Sequence, residues 1–248
     1  MITERLRELV SALMLLTRLP VWRLHLPMPA QPSRAVWAYP LVGVLIGAAG
    51  AAVFAAASLA ALAPWVAALL ALCTQMLLTG ALHEDGLADM ADGFGGGRDA
   101  ARKLEIMRDS RVGSYGVLAL IMAVALRAAS LAASAAPAEA AVSLIVAGTL
   151  GRAAMLAVLA TTKPARADGL AASLARPPIT ATASGLAIAL VASCGMLGAH
   201  QACLACGAAL LGALLIRWLT LRQIGGQTGD VLGACAVTVE TLVLLLLA

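Results

Sequence analysis

Charge is scarce in this sequence. Of its 248 residues only 12% are Asp, Glu, Lys or Arg, about half of what a soluble domain carries. A molecule with water on every side is excluded. Aromatics are scarcer still, at 3%, with two Phe, two Tyr and four Trp. No basic patch interleaved with aromatics can be assembled, so a nucleic-acid platform is not expected, and the net charge of +4 needs another explanation. Five cysteines, at 73, 194, 203, 206 and 235, all fall in apolar stretches. Cys203 and Cys206 form half of a zinc pattern with no second half, and no disulfide framework is implied. A secretory leader is not expected: the apolar run at 9–16 is short, acidic residues precede it and Arg18 follows without a cleavage site. Leu6, Leu9, Val10, Leu13 and Leu16 share one helical face instead, which predicts an amphipathic helix lying at the membrane surface.

What the chain has is apolar mass, 62% of it. A spanning helix needs about 20 such residues. Seven stretches qualify, at 36–62, 64–82, 114–135, 140–162, 181–199, 202–221 and 231–247. The expected fold is therefore all-α: a polytopic integral membrane bundle of about seven transmembrane helices with a short N-terminal interfacial helix, in one domain. Gly43 and Gly47 give the first span a small-xxx-small packing surface. The basic residues fall before span one, between spans two and three, between four and five, and at the exit of six. With seven spans these connections share one side, and the positive-inside rule makes it cytoplasmic. Arg127, Arg152 and Glu240 lie inside spans, where a charge costs at least about 2.5 kcal/mol and marks a functional site or a buried ion pair.

One stretch breaks the apolar pattern: LTGALHEDGLADMADGFGGG, at 78–97. Asp85, Asp89 and Asp92 recur at i, i+4 and i+7, which on a helix places three carboxylates on one face. Carboxylates so gathered repel, and a hard divalent cation, Mg²⁺ or Mn²⁺, relieves the conflict. The following Gly93-to-Gly97 run is expected not to be helical and to offer backbone amides, those of Gly95, Gly96 and Gly97, as an anion cradle. Arg98, Arg102, Lys103, Arg108 and Arg111 come next. Carboxylates, amides and cations in one cytoplasmic loop, about 83–112, outline a site for phosphoryl transfer. A second polar cluster, GGQTGD at 225–230, ends in Asp230, which either caps the last span or faces the substrate from the same side.

The stretch at 78–97, followed by KLEIMRDSRVGSYGVLAL, resembles the signature region of the cobalamin synthase family, the adenosylcobinamide-GDP ribazoletransferases. LLTRLPV near the start, YPLVGVLIG at 39–47, GRAAM at 151–155 and GGQTGDVLGA at 225–234 extend the resemblance to both ends. The resemblance implies a multi-pass enzyme of the bacterial inner membrane that requires Mg²⁺. It implies that adenosylcobinamide-GDP is joined to α-ribazole or its 5′-phosphate, and that GMP is released. On that reading Asp85, Asp89 and Asp92 hold the metal. Arg108, Ser110, Arg111, Arg152, Asp230 and the Gly95–Gly97 amides contact phosphate or substrate, and His83 or Asp109 takes the hydroxyl proton. Glu84 departs from the family pattern, which has an apolar residue there, and reads as a spare carboxylate. Two other classes compete. A CDP-alcohol phosphotransferase also uses a helical aspartate stripe, but Asp89 stands where its arginine is required. A transporter needs polar residues along several spans, and these spans are bland. A homo-oligomer is compatible with the sequence.

Overall fold

The structure is a computed structural model, and it describes residues 2–25, 27, 29, 31–134, 136–174 and 176–248. It contains eleven α-helices and two 3₁₀ turns among the described residues. They are α1 (Ile2–Leu16), α2 (Tyr39–Leu59), α3 (Pro64–Thr79), α4 (Leu82–Gly96), α5 (Ala100–Ile106), α6 (Ser114–Ala133), α7 (Pro137–Thr161), α8 (Leu170–Ser173), α9 (Ile179–Leu197), α10 (Ala199–Ile224) and α11 (Gly229–Leu247). The 3₁₀ turns are Val21–Leu24 and Pro32–Ala38, the second running directly into α2. The protein is a polytopic helical membrane protein. Six helices are long and apolar enough to span, with α2 counted from Pro32, and the number reaches seven if the bent pair α3–α4 is one span. The expected spans agree with α2, α6, α7, α9, α10 and α11 to within a few residues. Ala135, the expected end of the third span, lies outside the described residues.

α7 is the centre, most of it buried; α2, α9, α10 and α11 surround it. The small residues predicted to pack do so. A Cβ at Gly43 would run into the Gly148 carbonyl of α7, and one at Gly47 would lie 2.5 Å from Ile145 Cα. Two backbones touch there because neither has a side chain to hold them apart.

The second expected span is cut short. α3 has 16 residues, about 24 Å of helix, against about 30 Å of hydrocarbon. Gly80 (φ 68°) and Ala81 (φ 57°) then both adopt the left-handed conformation, and α4 leaves at 90° to α3. Ala81 carries a Cβ penalty of about 1–2 kcal/mol for this. Arg18 fills the space beside Gly80, where any Cβ would strike its guanidinium, and the Arg18 amide donates to Leu78 O at 2.7 Å. The corner is thus held by the N-terminal segment.

Two expectations are corrected. The segment 83–112 is not an open loop but largely α4 and α5, and the run from Gly93 to Gly96 is helical. Packing overrides propensity: a Cβ at Gly93 would meet Met107, one at Gly95 the Tyr115 ring at 2.7 Å, and one at Gly97 Lys103. The glycines let α5 and the start of α6 close onto α4, a tertiary gain larger than the roughly 1 kcal/mol each costs in a helix. The expected apolar face of α1 is largely present: Val10 and Leu16 are buried and Leu9 and Leu13 pack against the core, while Leu6 is exposed. A buried acid holds α1 as well: Glu8 accepts from Trp37 Nε1 at 2.7 Å and pairs with Arg5 (2.8 Å) and Arg34 (3.3 Å).

Candidate active site

At one end of the bundle a cavity of about 300 Å³ opens. Its walls come from the end of α1, the start of α2, the first turn of α4, residues 164–174 and residues 227–233. These segments belong to the connections that the basic residues place on one side, so the structure gathers them at one end as the alternation of spans requires. Two of the connections are stitched together. Ala165 N donates to Gln227 O and Gln227 N to Lys163 O, both at 2.8 Å, and Thr220 Oγ1 donates to Gly226 O at 2.6 Å. Gly226 has no room for a Cβ, which would collide with Lys163 O.

The polar atoms of this cavity are not self-satisfied. His83 Nε2, Arg166 Nε and Gln227 Oε1 are buried without a partner, and all three residues line it. Unmet buried polar groups cost about 1–3 kcal/mol each, so two donors and an acceptor of the lining residues are left unmet by the fold. Asp85 and Asp230 add carboxylates. The α4–α11 crossing brings them together, because Gly86 lets the Asp230 backbone approach; a Cβ there would lie 2.6 Å from Asp230 O. Asp230 pairs loosely with Arg166, at 3.7 Å, and accepts from Thr228 Oγ1 at 3.2 Å. Thr228, not Asp230, is the N-cap of α11, accepting from Val231 N. Of the two roles open to Asp230, the structure places it at the cavity.

The aspartate stripe divides. Asp89 is half-buried beside Asp85, Asp230 and Asp92; burial first, then these like charges, push its pKa up to about 7 against the pull of Arg166. Neither the Asp85 nor the Asp89 carboxylate has a hydrogen-bond or ion-pair partner among the described residues. Asp92 does: Gly113 N donates to Oδ2 at 2.7 Å and Gly116 N to Oδ1 at 2.9 Å, so it caps α6, whose own N-cap is a glycine. The reason is length. Positions i and i+7 are two turns apart, about 10 Å along the axis, and α6 begins where the stripe ends. Among the described residues no three His, Cys, Asp or Glu side chains converge on one metal position. The donor set still fits Mg²⁺, which is commonly held by one or two carboxylates with substrate phosphates supplying the rest. Asp85 and Asp89, one turn apart and with unpartnered carboxylates, are the residues here that could hold it in that way.

The other expected residues fall in three places. Arg108 forms an exposed pair with Asp168 at 2.7 Å, which puts it at the cavity rim, since Asp168 is in the wall. Asp109 and Arg111 pair with each other at 2.7 Å outside the cavity, with Ser110 exposed between them; the Arg111 bonds hold the Asp109 carboxyl down at about 2. The Gly95 and Gly96 amides are helical and the Gly97 amide donates to Gly93 O, so this run offers no open cradle. Arg152 sits behind the cavity in a buried network: Glu84 accepts from Arg127 at 3.2 Å, Arg127 also reaches Glu240 at 3.2 Å, Glu240 pairs with Arg152, and Arg152 Nη2 lies 3.5 Å from His83 Nδ1. Glu84 is therefore the counter-ion of an intramembrane arginine. Arg166 and Gln227 are the residues that sequence reasoning passed over.

Fold and site together define a polytopic helical membrane protein with a cavity whose lining includes Asp85, Asp230 and Arg166. The chain belongs to the cobalamin-5-phosphate synthase family, whose model matches residues 8–248. It is 45% identical to an adenosylcobinamide-GDP ribazoletransferase of Bradyrhizobium diazoefficiens over 99% of this chain and 96% of that one. A protein of the same name from Azorhizobium caulinodans is 48% identical over 83% and 80%, and one from Ralstonia nicotianae 40% over 97% and 94%. No solved structure matches the chain.

Proposed function

We infer that this chain is an adenosylcobinamide-GDP ribazoletransferase acting in the last steps of cobalamin synthesis. It joins adenosylcobinamide-GDP to α-ribazole or its 5′-phosphate and releases GMP. The single observation that carries the reading to this geometry is the set of unpartnered buried atoms, His83 Nε2, Arg166 Nε and Gln227 Oε1, on three residues that line one cavity with Asp85 and Asp230. The family membership says what should fill it.

The reaction forms one bond and breaks one. A ribazole hydroxyl oxygen bonds to the cobinamide-side phosphorus, the bridging P–O bond opens, and GMP leaves with its electron pair. The hydroxyl proton goes to a carboxylate, and Asp230 is the one that lines the cavity without lying on the Asp85–Asp89 stripe. Asp85 and Asp89 would hold Mg²⁺, which when bound would neutralise charge on the pyrophosphate and the departing GMP. Arg166 and the first amides of α11 orient phosphate oxygens. The enzyme works in the bacterial inner membrane with the cavity on the cytoplasmic side, as the arginine distribution supports.

The test is turnover in lipid. Purified protein is incubated with adenosylcobinamide-GDP, α-ribazole 5′-phosphate and Mg²⁺, and GMP and corrinoid product are followed by chromatography. Product that disappears with EDTA and with Asp89→Asn is expected. Product that survives Asp89→Asn removes the metal assignment; no product from folded wild-type protein overturns the function.

A further inference from the structure

The cavity is too small for both substrates, and its lining is not uniform. About 300 Å³ is the lower end of what a drug-sized molecule occupies and cannot enclose a corrinoid. Most of the lining is apolar, with Leu15, Leu16, Tyr39, Met155, Ala171 and Leu174 among it. The polar part comes from His83, Arg166, Gln227, Asp85, Asp230 and the start of α11. A guanine base carries several donors and acceptors around its rings, more than so largely apolar a lining can meet at once. A benzimidazole riboside does not: its two-ring base is hydrophobic apart from one bare ring nitrogen, an acceptor.

A lining residue holds a donor suited to such an atom. His83 is 2% exposed, and its Nδ1 faces the Arg152 guanidinium at 3.5 Å. A guanidinium can only donate, so Nδ1 is the acceptor nitrogen and the ring proton is on Nε2. That N–H is buried, has no partner and belongs to a residue of the cavity lining. The tautomer is held from behind: Arg152 pairs with Glu240, which also takes Arg127, which pairs with Glu84. The buried ion network therefore fixes which nitrogen of His83 carries the unpaired proton.

We propose that this cavity is the seat of the ribazole acceptor, its base lying on the apolar lining with the bare ring nitrogen hydrogen-bonded to His83 Nε2–H. The ribose and any 5′-phosphate point toward Arg166 and α11, which brings the reacting hydroxyl to the carboxylate side. The corrinoid and guanosine of the other substrate stay outside the cavity, past the Asp85–Asp89 stripe. His83 is then a recognition group and not the base of the reaction. The proposal rests on the ribazoletransferase reading, and it deepens that reading by assigning one substrate to one place.

The experiment separates the two substrates kinetically and at equilibrium. In nanodiscs, KM is measured for α-ribazole 5′-phosphate and for adenosylcobinamide-GDP independently, and α-ribazole 5′-phosphate binding is measured by calorimetry without the corrinoid. His83→Gln keeps an N–H near the Nε2 position, and His83→Phe removes it. His83→Phe is expected to raise KM and Kd for the ribazole tenfold or more and to leave KM for the corrinoid within twofold; His83→Gln recovers most of the loss. Ala172→Phe, at the cavity lining on α8, leaves the ion network alone and is expected to raise the same KM selectively. A corrinoid KM that rises instead overturns the assignment. So does loss of kcat at unchanged ribazole KM, the signature of a base. Wild-type protein without turnover would fail the enzyme reading itself, an outcome the KM pattern cannot mimic.

Discussion

Replacing Glu240 by Gln tests whether the buried network is what ties the spans together behind the site. Two guanidiniums, Arg127 and Arg152, face two carboxylates, Glu84 and Glu240, and the sum is zero. All four side chains are 11% exposed or less. Glu240→Gln leaves a net positive charge among α4, α6, α7 and α11, and Arg152 keeps no carboxylate partner. Removing one member of a buried pair costs about 3–5 kcal/mol, which lowers the folded-to-unfolded ratio by about a hundred- to several thousandfold. The reporter is close by. Cys235 is fully buried on α11, five residues before Glu240, and its alkylation, followed by peptide mass, reports the opening of that helix. The expected result is alkylation accelerated by at least a hundredfold at a fixed denaturant concentration. The double variant Glu240→Gln with Arg152→Met restores neutrality and is expected to recover half of the loss or more. A single variant as protected as wild type, or a double variant no better than the single, refutes the reasoning.

Three further outcomes follow from named contacts. Gly43→Val pushes a side chain into the Gly148 carbonyl and should destabilise by about 1–3 kcal/mol in denaturant unfolding, whereas Gly195→Ala, with open space around it, should be near neutral. Asp92→Ala strips the acceptors of the Gly113 and Gly116 amides; hydrogen exchange at those amides should accelerate, with a loss of about 1–3 kcal/mol for each amide left buried and unpaired. Asp109, held at about 2 by the Arg111 side-chain and backbone bonds, has a depressed value, so its pairing is present above the ordinary carboxylate range and lost only as pH falls toward about 2. Asp109→Asn should therefore leave the shape of a turnover profile between about pH 5 and 9 unchanged, and a lost alkaline or acidic limb would contradict its place outside the cavity.

The spans were legible because bilayer thickness sets their length and nothing else competes. The corner at Gly80–Ala81 was not, since an alanine at φ 57° obeys no sequence rule and is imposed by Arg18 and the Leu78 bond. The glycine run was misread for a related reason: intrinsic propensity opposes helix, but the partners that reward a missing Cβ, Met107, Tyr115 and Lys103, come from later residues. Glu84 could have been found by adding charges. Arg127 and Arg152 against Glu240 leave one cation too many at membrane depth, and the acid that balances it had to come from the polar stretch that follows α3. Arg166 and Gln227 carried no such signal; each is ordinary in its own connection, and only the pairing of Ala165 with Gln227 makes them neighbours.

The same geometry explains why one acidic stretch serves three purposes. α4 turns across the bundle end instead of continuing through the membrane, so its successive residues meet different neighbours. His83 and Glu84 face inward onto Arg152 and Arg127. Asp85 and Asp89 remain without a partner beside α11, and Asp92, about 10 Å farther along, reaches the amides of α6. A carboxylate that caps a helix and one that balances an arginine are each satisfied by the fold alone, and like-charge repulsion is left only where no protein cation answers it fully. That remainder is Asp85 and Asp89 with Asp230 nearby, the like charges that push Asp89 up. The fold thus concentrates its unmet electrostatic repulsion beside a cavity whose lining residues also carry unmet hydrogen-bonding groups.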